Sequence, residues 1–156
     1  DATLVSSTSV INEVVSNIVN DSVNTKETSS QEKESPKLSD ETDDYFTSSR
    51  IDRDKMYSQM LESYQKIIDN TNMPSEQKSI ATKEIENINN TKNAIMISEN
   101  LIKTKGIQDV IIFVNLDSIN IVIKAKELTS DKVAQIQNII SRELNSDVEN
   151  IHISNK

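Results

Sequence analysis

The sequence predicts an α+β fold, with helices packed on a small three-stranded sheet in the order α-α-β-β-α-β behind a disordered acidic N-terminal segment. Three observations predict it. The only glycine, Gly106, falls where a long helical pattern stops and the apolar run Val110-Ile111-Ile112-Phe113-Val114 begins. A helix end favours a residue tolerant of positive φ, which glycine supplies without steric cost. Beyond that run, alternating and 3.6-period apolar patterns follow one another as strand, helix and strand. Charge divides the chain: residues 1–44 hold ten acids and three bases, whereas residues 45–156 hold fifteen and fourteen. Almost the whole net charge of −8 therefore lies in the first 44 residues.

Residues 1–25 are rich in Ser, Thr, Asn and Val, with Val10, Ile11, Val14, Val15, Ile18 and Val19 at helical spacing. An amphipathic helix that forms weakly or on a partner, and an unstructured segment, both fit this pattern. Residues 26–44 are polar and acidic and contain Pro36, so they bury too little apolar surface to offset their chain entropy. Residues 1–44 are accordingly expected to be a tether, and as a flexible coil they would span roughly 35–40 Å. Residues 45–156 are expected to form the α+β interaction domain.

Within that domain, Met56, Met60, Tyr64 and Ile67 or Ile68 mark a first helix over about 48–70. Pro74 and Glu76 open a second, whose stripe of Ala81, Ile85, Ile88, Ile95 and Ile102 runs towards Gly106. Strands are predicted over about 109–115 and 119–125, joined by the polar turn Asn115-Leu116-Asp117-Ser118. Thr129 is a good N-cap for a third helix with Val133, Ile136, Ile140 and Leu144 on its buried face. Ile151 and Ile153 alternate with polar residues in a last strand over 150–154.

The first strand is apolar on both faces, which predicts a central position between the other two. Helices cover one face of a three-stranded sheet. The second face, carrying Ile111, Phe113 and Val122, is expected to be covered by the first helix, by another copy or by a partner. The sheet edges expected to be open are the second strand (119–124) and the last strand. Partner contacts are therefore expected at Ile111, Phe113, Asn120, Val122, Lys124, Asn150 and His152.

Reaction chemistry finds little to stand on. The chain has no cysteine, which excludes disulfides, thiolate catalysis and Cys-based zinc sites. His152 is the only histidine and has no catalytic neighbours in the pattern, so a surface or interface role is expected. Asp43-Asp44 and Glu84/Glu86 fall in the tether and on a solvated helix face, and a single glycine cannot build a phosphate loop. No enzyme activity, cofactor or metal is expected. A near-neutral folded part also lacks the basic face that nucleic acid requires. Two readings remain from the residues: a protein assembly module, and an extracellular ligand- or peptidoglycan-sensing domain on a tether.

The stretch Leu101–Ile153 resembles the stage III sporulation protein AH family. The resemblance rests on Lys105-Gly106, Asp109, Phe113-Val114, Lys124-Ala125, Leu128-Thr129, Ala134-Gln135-Ile136, Arg142-Glu143 and Asn150-Ile151. Upstream, Tyr64-Gln65-Lys66-Ile67-Ile68 and Glu76-Gln77-Lys78 extend it to roughly residues 57–154, leaving residues 1–44 outside. It implies a ring-building-motif-like fold, similar to secretion-system and flagellar ring proteins. It also implies a soluble domain lying between mother cell and forespore, anchored in the mother-cell membrane by an N-terminal helix not present in this chain. The Asp1 start fits an ectodomain cut free of that anchor. The partner implied is the extracellular domain of stage II sporulation protein Q, in a channel or ring complex that supports engulfment, with possible self-association into a ring. The family brings no catalytic residues.

Overall fold

The computed structural model describes residues 41–156. The amphipathic pattern of residues 10–19 and the linker composition of residues 26–40 lie outside the described residues.

Helix α1 spans Glu41–Asp69 without a glycine or proline, and its first turn carries Glu41, Asp43 and Asp44. Acids there complement the positive helix N-terminus, while Lys66 serves the last turn. The helix expected from about residue 48 thus starts seven residues earlier, and acids assigned to the tether form its opening turn. At Asn70 the chain reverses: Met73 N–H donates to the Asn70 carbonyl at 3.1 Å and the Asn70 side chain accepts from Asn72 N–H at 3.0 Å.

Helix α2 spans Ser75–Lys103, with Pro74 at its N-cap in an extended conformation. Twenty-nine residues give it a length of about 44 Å. It packs antiparallel to α1, burying Ala81, Ile88, Ile95 and Ile102 against Tyr57 and Tyr64. Its end is closed by Thr104, Lys105 and Gly106 N–H groups donating to Asn100, Ile102 and Lys103 carbonyls. Gly106 sits at φ +82°, the conformation that its place in the sequence predicts.

Strands β1 (Asp109–Val114) and β2 (Ile119–Lys124) form an antiparallel hairpin, with Asn115 N–H donating to the Ser118 carbonyl at 2.8 Å. Helix α3 (Ser130–Glu143) is capped by the Thr129 hydroxyl, which accepts from Lys132 N–H. It buries Ile136, Ile139 and Ile140, with Leu144 partly buried against the same core. Asn145 leaves the helix at φ 49°, a one-turn 3-10 helix follows at Val148–Asn150, and β3 spans Ile151–Asn155.

The sheet order is β1-β2-β3, and β3 runs parallel to β2. The central strand is therefore β2, and the expected central place of the first strand is corrected. The α3 crossover returns the chain parallel to β2 on the side that the hairpin leaves open, so β1 stays at an edge. Its two-sided apolar pattern has another cause: Val110 and Ile112 face the core, and Ile111 on the opposite face is also fully buried. The second strand, paired on both sides, is likewise not an open edge.

A candidate protein interface

The edge of β1 is closed by side chains rather than by another strand. Arg50 and Arg53 lie three residues apart on α1, at positions that continue its buried stripe. Arg50 pairs with Asp109 through its two terminal guanidinium nitrogens and donates to the Val110 carbonyl at 3.0 Å. Arg53 pairs with Glu99 of α2 at 2.5 Å and donates to the Ile112 carbonyl at 2.8 Å. Glu99 in turn accepts Ile112 N–H at 3.0 Å, and the Asp109 side chain accepts Val110 N–H at 2.9 Å. Four backbone groups that would otherwise template a foreign strand are therefore taken. Among the described residues, no buried side-chain nitrogen or oxygen is left without a partner.

This network shapes the local electrostatics. Partial burial of Asp109 would raise its carboxyl, but hydrogen bonds from Arg50, Val110 N–H and Lys103, with the charge of Arg50, outweigh it. The carboxyl is held below the usual aspartate range. Tyr57, beside the Arg53–Glu99 pair, is pushed the other way: burial raises its hydroxyl pKa, assisted by Glu99 and Asp54 and opposed by Arg53.

Strand β3 has a sheet neighbour on one side only, and among the described residues no other strand pairs with its outer edge. It adjoins the sheet face turned away from the core. The pairing register places Phe113, Asn120 and His152 in one row across that face, and Ile111, Val122 and Ser154 in the next. Phe113, Asn120 and Val122 are half-buried, and His152 is exposed.

Of the seven residues singled out from the sequence, the structure brings Phe113, Asn120, Val122 and His152 together on this surface. Ile111 shares the face but is fully buried, so it presents no contact surface in this arrangement. Lys124 lies at one end of the face and bonds to Asp43 at 2.5 Å. Asn150 belongs to the 3-10 turn before β3 and stands outside both rows. Ser154 was missed, although strand alternation from His152 would have found it. The arginine–carboxylate network was missed as well. Its signal was present: Glu99 falls between Ile95 and Ile102 on the apolar stripe of α2, where a charge at helical spacing demands a buried partner.

A second surface feature is a cleft of about 510 Å³ between the middle of α1 and α2 and the β1–β2 turn, with Met56, Met60, Ile88, Val114 and Leu116 among its lining. Leu116, at the tip of the turn, is 68 % exposed. No group of three or more His, Asp or Glu side chains suited to a metal ion occurs among the described residues. No helix among them is long and apolar enough to cross a membrane.

Comparison with known proteins agrees with this architecture. The chain is 29% identical over 126 residues to Stage III sporulation protein AH of Bacillus subtilis (strain 168), an alignment that takes in 80% of this chain and 58% of that relative. A chain of the solved SpoIIQ-SpoIIIAH pore forming complex superimposes with a TM-score of 0.63 at 22% identity, covering 72% of this chain and 95% of that one. That likeness shows the fold. The model of the SpoIIIAH-like protein family matches residues 5–153, nearly the whole sequence, and the chain belongs to that family.

Proposed function

We propose that this chain is a non-enzymatic assembly protein of endospore formation, whose folded part binds the extracellular domain of stage II sporulation protein Q. The observation that carries the reading is the contrast between the two sheet edges. On the β1 edge the backbone groups of Val110 and Ile112 are taken by Arg50, Arg53, Glu99 and Asp109, whereas among the described residues the β3 edge has no strand partner and lies beside the row of half-buried Phe113 and Asn120 and exposed His152. An open edge flanked by a partly apolar face suits a partner that adds main-chain hydrogen bonds and fills side-chain pockets. The solved complex in which the structural relative takes part supports this choice of partner. In this reading the domain lies in the space between mother cell and forespore, held at the mother-cell membrane by an anchor preceding the tether. There it contributes to a ring or channel that joins the two cells and supports engulfment.

The test is size-exclusion chromatography with light scattering on the chain mixed with that extracellular domain, followed by titration of the F113A variant. Phe113 is half-buried, so its truncation should cost the fold only about 1–2 kcal/mol, below the range for a fully buried ring. Binding should weaken about tenfold or more. A chain that forms no complex, or an F113A variant that binds with unchanged affinity, would remove the face from the account.

A further inference from the structure

The first two turns of α1 are attached differently from the rest of the helix. From Arg50 onward, α1 is fastened by the bonds of Arg50 and Arg53 to β1 and by Tyr57 and Tyr64 in the main core. The turns before Arg50 cross instead to the opposite sheet face. Asp43 reaches Lys124, which alternates away from the core side of β2. The Tyr45 ring lies 4.1 Å from Lys156 Nζ, just beyond β3. Phe46 is fully buried yet lies outside the main hydrophobic cluster, as does Ile111. The centre of the Phe46 ring is 6.0 Å from the Arg50 guanidinium, and that guanidinium is bonded to Asp109 and the Val110 carbonyl of β1.

We infer that residues 41–49 form a latch over the Lys124 end of the second sheet face, opening and closing independently of the main core about a hinge at Arg50. Besides the backbone bonds of the helix itself, its attachments include contacts of the kind that local opening breaks: the buried Phe46 side chain, an ion pair whose Asp43 end is 58 % exposed, and a cation–π contact between Tyr45 and Lys156. The Asp43–Lys124 pair is screened by salt, so added salt favours the open state. Opening uncovers Phe46 and Ile111 next to Phe113 and Val122 and lengthens the apolar part of that face. The residues that precede Glu41 join the chain directly at the latch, so whatever acts on them acts on it first.

The absence of native cysteine makes a single-thiol reporter clean. Ile111→Cys places a thiol under the latch, and Ile121→Cys places one on the core side of the central strand, where Ile121 is 1% exposed. Labelling of the folded full chain with Ellman's reagent should be about tenfold or more faster at position 111 than at 121. It should remain far slower than for an unfolded chain. Asp43→Asn or added salt should raise the rate at 111 severalfold and leave 121 unchanged. Equal rates at the two positions, or no response to either perturbation, would overturn the latch. So would labelling at 111 as fast as that of a free thiol. Should either cysteine variant fail to fold, amide hydrogen exchange on the unaltered chain decides: Phe46–Ser49 should exchange well ahead of Tyr57–Tyr64, and equal protection would overturn the proposal.

Discussion

Replacing Glu99 with alanine tests the sealed edge of β1 most directly. The Arg53 and Glu99 side chains are only 9 % and 12 % exposed, so removing the carboxylate strands a guanidinium that bulk water reaches poorly. Breaking a buried ion pair from one side costs about 3–5 kcal/mol. The same carboxylate accepts the N–H of Ile112, a fully buried residue, and an orphaned amide costs about 1–3 kcal/mol. The two losses share one side chain and overlap, so a total near 4–5 kcal/mol is expected, a large share of a domain's stability. Urea unfolding followed by far-ultraviolet circular dichroism should show the midpoint falling by about 2 M or more for a slope near 1.5–2 kcal/mol/M. The double variant R53M/E99M removes both charges and should recover much of the loss, while keeping the deficit from the unpaired Ile112 backbone. An E99A variant within about 1 kcal/mol of the parent would mean that water enters the edge freely, and the sealing argument would fail.

Gly106→Ala should destabilise the chain by about 1–2 kcal/mol in the same urea assay, because nothing lies within 4 Å of the added Cβ and the cost is that of φ +82° alone; no measurable change would show that this conformation is not required. Asp109 has a folded pKa below its unfolded value of about 3.9, so it contributes stability that is fully present above that value and lost as pH falls through the lower folded value. The D109N variant should therefore be less stable than the parent at pH 7, with the gap narrowing at pH 3 and below. A gap independent of pH would assign the effect to lost hydrogen-bond geometry instead of charge.

Elements fixed by local chemistry were legible in the sequence. Gly106 marked the end of α2, Pro74 its beginning and Thr129 the cap of α3, because each requirement is met within four residues of the chain. The strand order was not legible. Whether β1 or β2 lies in the middle depends on which side the α3 crossover returns to, and Ile111 reads as a core residue whether a strand or a helix turn covers it. Glu41, Asp43 and Asp44 read equally well as linker acids and as the first turn of a helix, and Phe46 alone tips the balance once its burial is seen. At the candidate interface, strand alternation placed Phe113, Asn120, Val122 and His152 on one side correctly. It could not foresee that Ile111 would be covered or that Asn150 would fall in a 3-10 turn, since both outcomes depend on segments distant in sequence.

The closeness of Tyr45 and Lys156 also has a practical meaning. The Lys156 N–H donates to the Ile123 carbonyl and its side-chain amine lies on the ring of Tyr45, so residue 156 sits at the end of the sheet where α1 begins, with Tyr45 about one helical turn on from Glu41. A short peptide bridge from Lys156 to the start of α1 would join the two ends of residues 41–156, so that stretch is suited to circular permutation, with new termini best cut in the Asn115–Ser118 turn at the opposite end of the sheet. A fluorescent or affinity label fused after Lys156 would likewise sit at the attachment end, leaving Leu116 and its surroundings clear.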